Sequence, residues 1–154
     1  MSEATIRAAI LGAMLDVYQV GVIHDYERHV TNWDEFLSLF QNNIGGNDQV
    51  RGWMIGYRGI PTVNQLTFNI ASNAGTERTH RFRIIGIMGI SDSTESEKTF
   101  AALAEDICDA LDADTTLHSI GIHATPASML FDPRPFADVL VHGAIINLEV
   151  KEMV

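Results

Sequence analysis

The chain has 154 residues, 46% of them apolar, with 20 acidic against 10 basic side chains and a net charge of −10. That is the size of one domain, here read as residues 1–154, with apolar content sufficient for a core. The acidic balance argues against a surface that wraps nucleic acid. No apolar run is long enough to span a bilayer, and no basic segment followed by an apolar one opens the chain, so neither a membrane span nor a signal peptide is expected.

In chain order, Ile6, Ala9, Ile10, Ala13, Met14 and Val17 form an i, i+3, i+4, i+7 stripe, which predicts a first helix, with Ser2 or Thr5 as N-cap. Gly21 follows its end, and residues 22–26 read as a short strand. Asn32 with Glu35 three residues on is a capping-box pattern ahead of Trp33, Phe36, Leu37, Leu39 and Phe40, which predicts a second helix. The run Asn42 to Asp48, rich in Asn and Gly, reads as the turn that ends it. From Val50 to Tyr57 the pattern alternates, placing Trp53, Ile55 and Tyr57 on one face of a strand and Gly52, Met54 and Gly56 on the other. Leu66, Phe68 and Ile70 mark a second alternating segment. It leads into residues 71–79, a polar glycine-containing stretch expected to be an exposed loop that orders when a neighbour arrives.

The strand from His80 to Ile90 puts Phe82, Ile84 and Met88 on one face and Arg81, Arg83, Ile85 and Ile87 on the other. Thr94 and Glu97 read as a second capping box, for a helix whose stripe of Phe100, Leu103, Ala104, Ile107 and Leu111 must lie on the sheet. A short strand is expected within residues 117–123. Phe131 to Phe136 contains two prolines, which lack the ladder donor, and so cannot be a central strand. The last strand carries Leu140, Ala144, Ile146, Leu148 and Val150 on its core side. This order predicts an α+β fold with a largely antiparallel sheet and helices mainly on one face.

Charge is segregated. Residues 92–114 hold eight carboxylates and one cation, Lys98, whereas Arg51, Arg58, Arg78, Arg81 and Arg83 fall in the strand-rich middle. The bland reading is a solvated helix face beside ordinary strand cations; the sharper one is a two-signed subunit that packs acidic face to basic face. Asp109 and Asp112 oppose the helix dipole at about 0.3–1 kcal/mol each.

Catalytic chemistry finds little footing. The single Cys108 lies in a helical stripe, where a small buried residue is the ordinary reading. His118 and His123 would point to opposite faces of a strand, and no His-Glu-x-x-His run or Cys pair accompanies them, so no metal or cofactor is expected. His24, Asp25, Glu27 and His29 form the densest titratable cluster and read as a solvated loop or edge. Gln49-Val50-Arg51-Gly52 resembles the start of the acetyltransferase pyrophosphate loop, but Met54 occupies the last small position and a strand follows.

The Ile6-Arg7-Ala8-Ala9-Ile10-Leu11 helix, the strand pair joined by a long polar loop, and the His80-Arg81-Phe82-Arg83-Ile84-Ile85 strand come first. The Ser93-Thr94-Glu95-Ser96-Glu97 helix start and the terminal Ile145-Ile146-Asn147-Leu148-Glu149-Val150 strand complete an order that resembles the tail terminator proteins of long-tailed bacteriophages. The resemblance implies a non-enzymatic virion subunit, made in the host cytoplasm, that assembles as a homo-oligomeric ring, typically a hexamer. Such a ring ends tube polymerisation, and its partners are the tail tube protein and a neck or head-completion protein, with no direct nucleic-acid recognition and no membrane. Arg78, Arg81 and Arg83 are the expected subunit or tube contacts, with carboxylates of Glu105 to Asp114 as their complement. Phe131, Arg134 and Phe136 are expected at a partner-docking projection. The alternatives are a neck or head-to-tail joining protein, and a small acetyltransferase-like or ligand-binding enzyme using the Trp53 and Tyr57 face as a pocket.

Overall fold

The structure, a computed structural model, describes residues 3–67, 74–114, 116–117, 123–124, 127–136 and 139–154. Its elements are α1 (Glu3–Leu15), β1 (Val22–His24), α2 (Trp33–Phe40), β2 (Gln41–Ile44), β3 (Asn47–Tyr57), β4 (Thr62–Thr67) and β5 (Ala74–Gly89). After these come α3 (Ser96–Asp112), β6 (His123–Ala124), β7 (Ser128–Phe131), β8 (Arg134–Phe136) and β9 (Val139–Met153). The fold is α+β, as the order of elements predicts.

The sheet runs β1-β3-β5-β9, with β4 on the free edge of β5 and β6, β7 and β8 along the far side of β9. Among the described residues β1 and β3 pair parallel and the other pairings are antiparallel. Two long strands organise it. β5 and β9 stay in register from Glu77 opposite Met153 to Gly89 opposite Val141.

The alternation read in the sequence sets the two faces. On one, α1 and α3 bury Ile6, Ile10, Met14, Phe100, Ala104, Ile107 and Leu111 against Trp53, Ile55, Phe82, Ile84, Ile146 and Leu148. Each large buried side chain contributes roughly 1.5–3 kcal/mol. On the other face α2 packs Phe36 and Phe40 on Met54, Ile87 and Val141. Two helices therefore share one face and a short third covers part of the other.

Several expectations need correction. The Asn42 to Asp48 run is a hairpin, not only a turn: Gln41 to Ile44 pair with Asn47 to Val50, and Gly45 and Gly46 take φ of +61° and +88°. Both central residues then have the positive φ of a two-residue hairpin turn, which suits glycine. The loop expected at 71–79 is strand from Ala74 onward, because β4 pairs with it along its length and β9 joins at Glu77; residues 71–73 lie outside the described ones, as do Phe68 and Ile70. Neighbouring strands supply ladder bonds that override weak β propensity.

At the start of α3, Thr94 does not cap. Asp92 to Thr94 make one 3-10 turn, Glu95 sits in the left-handed region at φ +54°, and the helix begins at Ser96. Glu95 occupies the cap position without a side-chain cap bond, while Ser96 Oγ accepts from the Ser91 amide at 2.8 Å and stands 2.8 Å from His142 Nε2. By contrast Asn32 caps α2 as its sequence suggests, its Oδ1 accepting from the Glu35 amide at 2.9 Å. Leu140 is 55% exposed rather than core, since it lies on β9 before the row of His142, where α3 begins. Leu117 takes φ +47° in a turn rather than a strand, and residues 118–122 lie outside the described ones.

Candidate interaction surface

The face of β5 and β9 away from α1 and α3 is laid out in rows. Ile85 is opposite Ile145, which is opposite Leu130 of β7; next come Arg83, Asn147 and Ser128, and beyond them Arg81 and Glu149. α2 reaches Ile87 and Val141. Past that row the face opens: Ile85, Arg83 and Ile145 are half-buried, Asn147 and Ser128 are exposed, and Leu130 is 63% exposed.

Two hollows lie side by side here. One, of 290 Å³, has Met54, Ile85, Ile87 and Val141 in its floor and Arg28 and Arg134 in its wall. The other, a 410 Å³ cleft, is lined by Arg58, Pro61, Arg81, Arg83, Asn147 and Glu149. Three guanidiniums thus line the second cleft against one carboxylate. Arg81 Nε donates to Glu149 Oε1 at 2.5 Å, and Arg58 pairs with Glu27, whose side chain lies over Gly56. Arg83 differs: among the described residues no carboxylate lies within 4.0 Å of it, and its buried Nε has no hydrogen-bond partner.

The expected arginine trio is split. Arg81 and Arg83 share this face, but Arg78 points to the other, 4.0 Å from the buried Glu152 carboxylate. Arg51 is not a surface cation at all. It is 5% exposed, donates to the Gln19 carbonyl at 3.0 Å and to Gln49 Oε1 at 3.1 Å, and burial pulls its pKa below the ordinary arginine value.

The Phe131 to Phe136 segment is no projection. Its halves lie along β9 as edge strands, broken at Asp132 and Pro133, with Pro135 opposite Leu140. Phe131, 42% exposed, turns toward the α3 side and meets Phe100 edge-on at 5.9 Å. Arg134 lies opposite Val141 on the other face, 3.7 Å from Asp132 Oδ2. Phe136 pairs through its backbone with Val139, and its side chain lies outside the described part.

On the far side of the sheet α3 turns Glu105, Asp106 and Asp109 outward, all exposed, with no basic residue in the helix's last turn. Asp112, also exposed, accepts from the Ala127 amide at 2.9 Å. The field of this stripe reaches Cys108. Burial first, then Asp112, Asp109 and Glu105, push its thiol from 9.0 up to about 11. At pH 8 its alkylation in the folded protein is therefore expected to be about 100-fold slower than in the unfolded chain, from thiolate population alone. Because the folded pKa is raised, the neutral thiol favours folding below pH 9 and that contribution fades as pH climbs toward 11. Timed iodoacetamide labelling with and without denaturant checks it; equal rates would mean that the thiol is neither buried nor in a negative field.

Trp53 does not line a pocket. It is fully buried, donates from Nε1 to the Val20 carbonyl at 3.0 Å, and stacks on Phe100 at 5.6 Å. The Gln49 to Gly52 stretch lies within β3 rather than between a strand and a helix, so its amides serve the ladder. His24 Nε2 bonds the Leu39 carbonyl at 2.9 Å and its ring meets Phe40 edge-on. Among the described residues there is no cluster of three or more side chains able to hold a metal ion, and no helix is long and apolar enough to cross a membrane.

Asn147 and Leu130 carry no sequence signal for this surface, and Arg58 is marked only as one of the cations of the strand-rich middle. The register that aligns them with Arg83 is the missing signal. Comparison with protein-family models gives no match, and comparison with curated proteins gives none either.

Proposed function

We propose that the chain is a structural subunit of a bacteriophage virion, a tail terminator that assembles as a ring of copies on the end of the tail tube. The ring, hexameric in the family it resembles, stops tube growth and presents the surface that meets a neck or head-completion protein. The observation that carries this reading is polarity across one sheet. A cation-bearing face, with a half-buried Arg83 that has no carboxylate partner among the described residues, lies on one side, and a helix whose outer stripe is acidic lies on the other. Faces of opposite sign on opposite sides make a contact in which each copy uses two different patches, and such heterologous contacts close into rings when the rotation allows.

The element order that resembles the tail terminators supports the same reading. No catalytic step is assigned to any residue. Adding the purified protein to polymerising tube protein of the same phage tests it: tubes are expected to stop at a finite length with one end decorated in negative-stain images. Tubes that grow to the same lengths with and without the protein, ends bare, would remove the capping role.

A further inference from the structure

Helices α1 and α3 complete one face of the sheet, whereas on the other the rows of Ile145 and Asn147 end in exposed Ser128 and Leu130. A half-covered sheet face with an apolar row beside a guanidinium that has no carboxylate partner among the described residues has the composition of an interface centre with a charged rim. The acidic stripe of α3 has the opposite problem. Glu105, Asp106 and Asp109 make no ion pair among the described residues, and Asp109 lies near the helix C-terminus, where the dipole disfavours negative charge.

We propose that the open sheet face is the seat for helix α3 of a second copy of this chain, with Arg83 receiving a carboxylate from the Glu105 to Asp109 stripe over Ile145 and Leu130. The inference rests on the ring reading above and gives it a contact. The incoming helix becomes a third layer, so each α3 is held between its own sheet and the next one. Exposed Ala102, one turn before Asp106, leaves room for the helix to approach. Because seat and helix lie on opposite sides of the molecule, the contact runs head to tail and every copy both gives and receives. Arg83 gains the carboxylate that none of the described residues of its own chain supplies, in a site that excludes water better than the free surface.

Sedimentation velocity across a concentration series, at low and at moderate salt, tests it with a charge swap. The wild type is expected to associate, more weakly at the higher salt. R83E alone, and the E105K/D109K double variant alone, are each expected to lose at least about tenfold in association constant. Mixing the two restores it: Lys on one helix meets Glu on the other copy's sheet, and the native acidic helix meets the native Arg83. L130K, at an exposed position that folding does not need, is expected to weaken association in the same way, and thermal melts verify that each variant is folded.

A wild type that stays monomeric throughout, variants that associate as the wild type does, or a folded mixture that fails to recover would each overturn the seat. Association seen only when tube protein is added, lost in R83E and not restored by mixing with E105K/D109K, would assign Arg83 to the tube instead. Tube length is the separate readout for capping. A rescued swap without tube arrest keeps the seat and removes the capping reading; tube arrest insensitive to the swap does the reverse.

Discussion

Replacing Trp53 by alanine is expected to destabilise the protein by about 3–5 kcal/mol, the usual cost of deleting a large buried aromatic. The ring is fully buried at the centre of the α1 and α3 face, stacks on Phe100 and anchors the Val20 carbonyl through its indole N–H, so truncation leaves both a cavity and an unpaired acceptor. Gly86, opposite Trp53 in the ladder, makes room for it: a Cβ built on Gly86 would come within 2.2 Å of the indole ring. G86A is therefore expected to cost about 1–3 kcal/mol by overpacking. In the W53A background most of that cost should vanish, because the alanine then fills space. Urea unfolding of the two single variants and the double variant measures the coupling. A G86A penalty that is the same in both backgrounds would mean that strand backbone, not the indole, sets it.

Glu152 is the site of the second large effect. Its carboxylate is 1% exposed and lies 3.0 Å from His80 Nε2, while His80 Nδ1 is 3.1 Å from the Tyr57 hydroxyl. Burial first, then Glu3 and Glu152, raise the Tyr57 pKa, so the phenol keeps its proton and donates it to Nδ1, leaving Nε2–H to donate to Glu152. E152A is expected to cost about 3 kcal/mol, the lower end for breaking a buried pair, because it removes the acceptor of the buried His80 Nε2–H. Y57F should cost less, about 0.5–1.5 kcal/mol for one hydrogen bond. Unfolding midpoints with unchanged m-values would check both. An E152A midpoint equal to wild type would show that the relay contributes nothing to stability.

Most of the layered fold was legible because its signals are periodic. The stripe of Phe100, Leu103, Ala104, Ile107 and Leu111 is buried as a unit, and the alternation along β5 correctly separates Phe82 and Ile84 from Arg83 and Ile85. Where pattern fails, pairing decides. Gln41 to Asn43 have no apolar alternation, yet β3 makes them a strand; Ala74 to Thr79 read as a loop because their polar side chains hide a ladder that β4 and β9 supply. A strand that starts at His80, as the sequence pattern suggests, leaves the side on which Arg78 falls undefined. Once it extends back to Ala74, parity alone puts Arg78 on the opposite face. The interaction surface was legible only along one strand. That Arg83 sits beside Asn147 and Ser128, and Ile145 beside Leu130, follows from register between segments far apart in sequence.

Register also has a consequence for how the chain reaches this state. β9 is the pairing partner of β5, β6, β7 and β8, and its contacts with β5 join residues 52 to 76 positions apart, from Gly89 with Val141 to Glu77 with Met153. β7 and β8 can zip onto β9 locally, with Phe136 opposite Val139, but β5 cannot gain β9 that way, because residues 90–138 separate them. Loop closure must precede the reward, which slows folding of such topologies. Until β9 docks, β5 presents a long unpaired edge with Ile84, Ile85 and Ile87 in it, a template for other chains. The refolding yield should therefore fall as protein concentration rises.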